Sequence, residues 1–185
     1  GYNLVAGTTW LFSREDMHEE PLDVLIVDEA GQLSLADTLA SCGAAHNVIL
    51  LGDPLQLANV SQGSHPRGSG LSVLEHILGE HSTIPAERGV FLSVTRRMHP
   101  EICDFVSTQF YEGRLTHHPS CAVQDTAAGT GLRWLRSRSN GCSTESPVEG
   151  AMIAEEVSSL IGRQWVDEQG VRRHLAAPHV IIIAP

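Results

Sequence analysis

Apolar residues along this chain follow two rhythms that alternate. Short, largely apolar runs at 22–27, 48–51, 90–94 and 180–183 read as strands, and the first suits a strand buried on both faces. Residues 3–7 read as a further strand that stops at Thr8 and Thr9, and 132–135 as another. Between them lie stretches with helical spacing. Residues 33–41 predict a short helix, and Leu71, Leu74 and Leu78 share one face of a second over 71–78. Pro100 suits the first turn of a helix over 101–110, with Ile102, Phe105, Val106 and Phe110 as its apolar face. The clearest helix runs from Glu149 to Ile161 and places Ile153, Val157, Leu160 and Ile161 on one stripe. The stretches 13–21, 59–70, 116–130 and 136–147 carry no period and read as turns and loops. Strands alternating with helices predict an α/β fold with a mostly parallel sheet. The last apolar run stops just short of the end of the sequence, so a piece excised from a longer protein is expected.

The polar residues that close two of these runs carry chemistry. Residues 25–32, LIVDEAGQ, bring Asp28 and Glu29 to the end of a strand, with Gln32 behind them. Residues 48–57, VILLGDPLQL, end in a second cassette that holds Gly52, Asp53 and Gln56. In phosphoryl-transfer ATPases such a strand presents an aspartate to Mg²⁺. A neighbouring carboxylate can then polarise the attacking water. One Asp-Glu pair after an apolar run equally describes a solvated turn. Two buried-type strands that both end in polar cassettes describe the ligand edge of an open α/β sheet.

Composition then removes alternatives. All 12 basic residues are arginine, against 22 acidic ones. Without lysine the chain holds neither a GxxxxGK[ST] phosphate loop nor a nuclease core of the D…ExK type. A formal charge of −10 argues against a nucleic-acid surface made by bulk charge, although not against a local cleft. At 42% hydrophobic the chain can bury a core, and its length fits one domain or two partial ones. No apolar run is long enough to span a membrane, and no leader segment is visible. Cys42, Cys103, Cys121 and Cys142 form no CxxC pair and read as reduced thiols of a cytoplasmic protein.

The ordered blocks VAGTTW, LIVDEAGQ, ILLGDPLQL, LSVTRRMHPEICDFVSTQFYEGRL, SPVEGAMIAEEV and IIIAP resemble superfamily 1 helicases. The branch is that of the nonsense-mediated decay helicase and its relatives. The text of residues 62–79 and 88–103 is closer still to bacterial fusions in which a RecB-like nuclease domain precedes the helicase. The resemblance implies two RecA-like domains, ATP between them and single-stranded nucleic acid across their tops. Residues 1–92 would be the later half of the first domain, and residues 93–185 the earlier half of the second.

The same resemblance assigns roles. Asp28 is the Mg²⁺-linked aspartate, and Glu29 activates water. Gln32 senses phosphate or couples the domains. Gln56 reaches the γ-phosphate, Asp53 orients it, and Gly52 allows a close backbone approach. Arg97 stabilises charge on the transferring phosphoryl group. Arg96 departs from the tyrosine common in relatives, although a guanidinium can still stack on the base of ATP. Thr95 stands where relatives have glutamine. Thr8 and Thr9 are placed against phosphates of the nucleic acid.

Several features have a plainer reading beside the functional one. His99 reads as a packing or capping residue, and Glu149 as a carboxylate favoured at a helix N-terminus. His117, His118 and Cys121 lack a second ligand pair for a metal. Trp134 with Arg133 and Arg136 reads as part of a core strand, with a base-stacking patch as the alternative. The expected substrate strand is DNA, with RNA as the alternative, because nothing reports on a 2′-hydroxyl. The expected partners are the remaining helicase and nuclease domains of the parent chain, with no membrane involved. A non-catalytic docking module is the competing class, in which Asp28, Glu29 and Arg97 persist as structure.

Overall fold

The computed structural model describes residues 3–56, 69–137 and 145–183. Leu57, most of loop 59–70, most of stretch 136–147, Cys142 and the closing Ala184 and Pro185 lie outside the described residues. The chain divides into two compact units, Gly1–Phe91 and Leu92–Pro185.

In the first unit, helices α1 (Thr9–Phe12) and α2 (Glu15–Glu19) precede strand β1 (Leu22–Val27). Helix α3 (Leu35–Cys42), strand β2 (Ala45–Leu50) and helix α4 (Val73–Leu78) follow. β1 and β2 pair in parallel, with Leu25 opposite Val48 and Ile26 opposite Ile49. A parallel pair needs a crossover, and α3 supplies it. Ser34 starts that helix. Its Oγ accepts the Asp37 N–H at 3.1 Å and donates to the Asp37 carboxylate at 2.7 Å. Ser72 and Glu75 form a capping box at the start of α4.

Phe12, Leu25 and Ala44 are the buried centre of this unit, with Leu11, Met17, Leu22, Val27, Ala45 and Val48 packed around them. Burial on both faces of β1 does not hold. Leu25 turns toward Phe12, whereas Val24 and Ile26 point the other way and are 43% and 60% exposed. Alternate side chains of a strand face opposite sides, and here one side alone is covered. Residues 3–7 form no strand, and Thr8 instead precedes the first turn of α1. The stretch 13–21 holds α2, where Arg14 pairs with Asp16 at 2.8 Å. In α4 the buried residues are Val73 and Leu78, while Leu71 lies ahead of the Ser72 cap and is exposed.

In the second unit, β3 (Val94–Thr95) and β4 (Thr116–His117) pair in parallel, joined through α5 (Pro100–Phe110). Pro100 occupies the first turn of α5, where its missing N–H costs nothing. The buried face of α5 differs from the expected one. Cys103 and Ser107 are buried, and Phe105 and Phe110 are half exposed. The chain turns back tightly at this point. Glu112 and Gly113 take left-handed backbone angles. Leu115 N–H then reaches Ser107 Oγ at 3.0 Å, and Gly113 N–H reaches the Ser107 carbonyl at 2.9 Å. A close return needs small side chains beneath it, which a search for large apolar residues passes over. Burial, with Asp104 and Cys121 nearby, pushes the Cys103 thiol above its ordinary range.

Helix α6 (Pro147–Leu160) starts at the Ser146 cap, and none of its described residues is fully buried. Strands β5 (Asp125–Thr126), β6 (Gln164–Val166) and β7 (Arg172–His174) form an antiparallel sheet in that order. Residues 132–135 are not a core strand. Arg133 pairs with Glu156 at 2.7 Å, and Trp134 is 89% exposed. Residues 180–183 form no strand among the described residues, although Val180 itself has an extended backbone. The architecture is α/β with parallel strand pairs, an incomplete RecA-like fold. Among the described residues no helix is long and apolar enough to cross a membrane.

Asp167 ties the β6–β7 hairpin. Its carboxylate accepts N–H groups from Val171 at 2.9 Å and Gln169 at 3.0 Å, and also binds the Arg173 guanidinium. The bond from Val171 N–H leads the effects that hold its carboxyl below the ordinary value, and the Arg173 and Gln169 donors add to it against the opposing effect of burial. A carboxyl with a lowered folded value stabilises above its unfolded value and loses that contribution as pH falls through the folded one. The hairpin is therefore expected to loosen below about pH 3.8, and Asp167→Asn to remove that dependence while weakening the hairpin at neutral pH. Amide exchange at Val171 across a pH series measures both effects.

Candidate functional site

The two cassettes end adjacent parallel strands and meet at one edge. Leu51 N–H donates to the Val27 carbonyl and Ala30 N–H to the Leu51 carbonyl, each at 2.8 Å. β1 thus leads directly to Asp28 and Glu29, and β2 to Gly52 and Asp53. Asp28 Oδ1 accepts the Glu29 N–H at 3.0 Å. Glu29 sits at φ 54°, a left-handed angle unusual for a residue with a side chain. Ala30–Gln32 then make one turn of 3₁₀-helix. On the other loop Asp53 Oδ1 accepts the Leu55 N–H at 3.0 Å, and Asp53 Oδ2 lies 3.4 Å from Gln56 Nε2. Asp28, Glu29, Gln32 and Gln56 are exposed, and Asp53 is partly so.

Two glycines let the loops interlock. A Cβ on Gly31 would lie 2.5 Å from the Asp53 carbonyl oxygen. A Cβ on Gly52, at φ +155°, would lie 2.8 Å from Ala30 N and 3.0 Å from Gly31 N. Ala30, between them, is fully buried. The close backbone approach expected at Gly52 is thus an approach to the first cassette. Gly31, unremarked in the sequence, has the same role from the other side, and its position in a tight polar turn was the available signal. Gly31→Ala is expected to cost roughly 1–3 kcal/mol through overpacking against the Asp53 carbonyl, and Gly52→Ala a similar amount through overpacking and backbone strain. Urea denaturation of the variants measures it.

The arginine block lies in the second unit. Thr95 ends β3, and Arg97 N–H donates to Thr95 Oγ1 at 3.2 Å. Thr95 therefore keeps a hydrogen-bond role, although within its own loop. Arg96 and Arg97 are exposed, and neither forms an ion pair among the described residues. His99 caps α5, its Nδ1 accepting the Glu101 N–H at 3.3 Å, in agreement with a capping residue.

The remaining residues fall as follows. Thr8 and Thr9 begin α1 rather than ending a strand. Glu149 is in the first turn of α6, where Ser146 Oγ accepts its N–H at 3.3 Å and its carboxylate takes the Ser137 hydroxyl at 2.9 Å. His118 caps the short helix Pro119–Val123, and the Cys121 thiol points to the Thr95 carbonyl at 3.9 Å. Both side chains thus make local contacts within the second unit. A cavity in the second unit is lined by Gln124, Trp165, Asp167, Arg173 and His179 among others, and includes no residue picked out from the sequence.

The donor set at the cassette edge consists of carboxylate and amide oxygens. It suits a hard cation such as Mg²⁺, which takes few protein ligands and keeps most of its waters. Asp28 Oδ1 is taken by the Glu29 N–H, and Asp28 Oδ2 has no hydrogen-bond partner among the described residues.

Two neighbouring parallel strands that end in acidic and amide cassettes make this edge the candidate site of an α/β fold. Residues 70–162 match the family described as the AAA domain, and the chain belongs to that family. It is 34% identical over 189 positions to the DNA-binding protein SMUBP-2 of Rattus norvegicus, covering 90% of this chain and 18% of that protein. It is 36% identical over 107 positions to the probable helicase MAGATAMA 3 of Arabidopsis thaliana, covering 56% of this chain and 12% of that one. The chain thus spans less than a fifth of the length of these curated relatives.

Proposed function

We propose that this chain is part of the motor core of an ATP-dependent DNA helicase, with RNA as the alternative strand. Residues 1–92 would form the later half of one RecA-like domain, and 93–185 the earlier half of the next. The observation that carries the reading is the interlocked pair of cassettes on neighbouring parallel strands. It holds Asp28, Glu29, Asp53 and Gln56 at one sheet edge. There Asp28 would hold Mg²⁺, which when bound would neutralise phosphate charge. Glu29 takes the proton of the attacking water. Gln56 contacts the γ-phosphate, and Asp53 steadies Gln56. Gln32 follows the state of the phosphate, and Arg97 offers its planar fork to the transferring group. Arg96 stacks against the base, and Thr8 and Thr9 contact phosphates of the single strand.

The text of 62–79 and 88–103 supports a parent with a RecB-like nuclease domain ahead of the helicase. Free thiols at Cys42, Cys103 and Cys121 support a cytoplasmic setting. The test is ATP hydrolysis. The full-length protein is expected to turn over ATP, faster with single-stranded DNA, and Asp28→Ala to abolish it. The 185-residue chain alone is expected to show no turnover, because it holds no lysine for the phosphates. Hydrolysis by the chain alone, sensitive to Asp28→Ala, would overturn the assignment of roles.

A further inference from the structure

Arg97 sits in a short bridge between two anchors. The first is the end of β3. The Thr95 carbonyl accepts the His118 N–H at 2.8 Å, and Thr95 Oγ1 accepts the Arg97 N–H at 3.2 Å. The second is the opening turn of α5, and it is secured by more than its His99 cap. Glu101 Oε2 accepts the Thr130 hydroxyl at 2.8 Å. Gly131, at φ +86°, lies so close that a Cβ there would be 2.6 Å from the same oxygen. Thr130 and Gly131 are delivered by a tight turn from β5. In that turn Thr126 Oγ1 donates to the Gly129 carbonyl at 2.6 Å, and Gly129 N–H donates to the Thr126 carbonyl at 2.8 Å. Ala127 N–H continues the tie to the Gln164 carbonyl, at 3.1 Å, in the antiparallel sheet.

We propose that Glu101 is a positioning residue for Arg97, clasped by Thr130 and Gly131 so that the α5 end of the arginine bridge is fixed to the β5–β6–β7 sheet. This rests on the role given to Arg97 above. An arginine that meets its phosphate only on closure must arrive in one place, and a displacement of about 1 Å can cost on the order of 10²-fold in rate. Glu101 touches no reacting atom in this scheme. It acts through the start of α5.

The experiment measures steady-state ATP hydrolysis by the full-length protein. Glu101→Ala is expected to lower kcat roughly 10- to 100-fold with KM nearly unchanged. Glu101→Gln keeps an acceptor for Thr130 and is expected to recover most of the rate. Thr130→Val removes the hydroxyl at nearly constant volume, and is expected to lower kcat in the same sense even if Glu101→Ala folds poorly. In an Arg97→Ala background, Glu101→Ala is expected to have no further effect, because there is no longer an arginine to place. Wild-type kcat in both Glu101→Ala and Thr130→Val would overturn the clasp. So would an undiminished effect of Glu101→Ala in the Arg97→Ala background. Wild-type kcat in Arg97→Ala itself would instead remove the role of Arg97, and the proposal with it.

Discussion

Arg97→Ala in the full-length protein is expected to lower kcat by on the order of 10³-fold while leaving ATP affinity nearly unchanged. The side chain is exposed at the end of β3, with no competing carboxylate bound to it among the described residues. Its guanidinium is thus open to a phosphoryl group, and in the proposed role its contribution falls on the transition state, where charge shifts among the phosphate oxygens. An interaction made only there lowers kcat without raising KM when lost. Arg97→Lys is not expected to restore the rate, because a point charge does not reproduce the planar fork. Single-turnover hydrolysis with nucleotide-binding titrations separates the two parameters. Unchanged kcat would leave the arginine block as a packing feature.

Glu29→Gln is expected to abolish turnover and preserve ATP binding. The amide keeps the length of the side chain and its place after Asp28, but it cannot take a proton from water. Asp28 keeps its carboxylate, whose Oδ1 is already held by the residue 29 N–H at 3.0 Å, so the metal position survives. Equilibrium binding of a fluorescent ATP analogue, alongside phosphate release, tests this. Hydrolysis at the wild-type rate would assign the base elsewhere.

The strands that carry the first site were legible because each apolar run had a partner. Residues 22–27 match β1, and 48–51 fall within or beside β2, which starts earlier at Ala45. Residues 3–7 and 180–183 have equally apolar text but no strand partner among the described residues. An apolar run becomes a strand only where another backbone offers its N–H and C=O groups. The four helices expected from the spacing lie where they were placed, but α1 and α2 were missed and helix faces were not read well. In α5 the sequence pointed to Phe105 and Phe110, and the fold buried Cys103 and Ser107 under a backward turn. That turn depends on left-handed angles at Glu112 and Gly113, which hydrophobic spacing does not register. At the site, the positions of Asp28 and Gln56 on one edge were readable from strand ends alone. The locking of Gly31 against Asp53 was not, because it joins two loops whose spacing the sequence leaves open.

With Glu29 in its proposed role, its left-handed backbone sets activity against stability at a single residue. A side chain at φ 54° sits in a region that glycine or asparagine occupies at less cost. Glu29→Gly is therefore expected to leave the fold no less stable, and Glu29→Asn to stabilise it slightly, while either ends hydrolysis. Random mutation at this codon, screened for folding alone, would drift away from glutamate. Screened for hydrolysis, it would return to it. In the proposed function it is chemistry that favours glutamate here, against the preference of its own backbone.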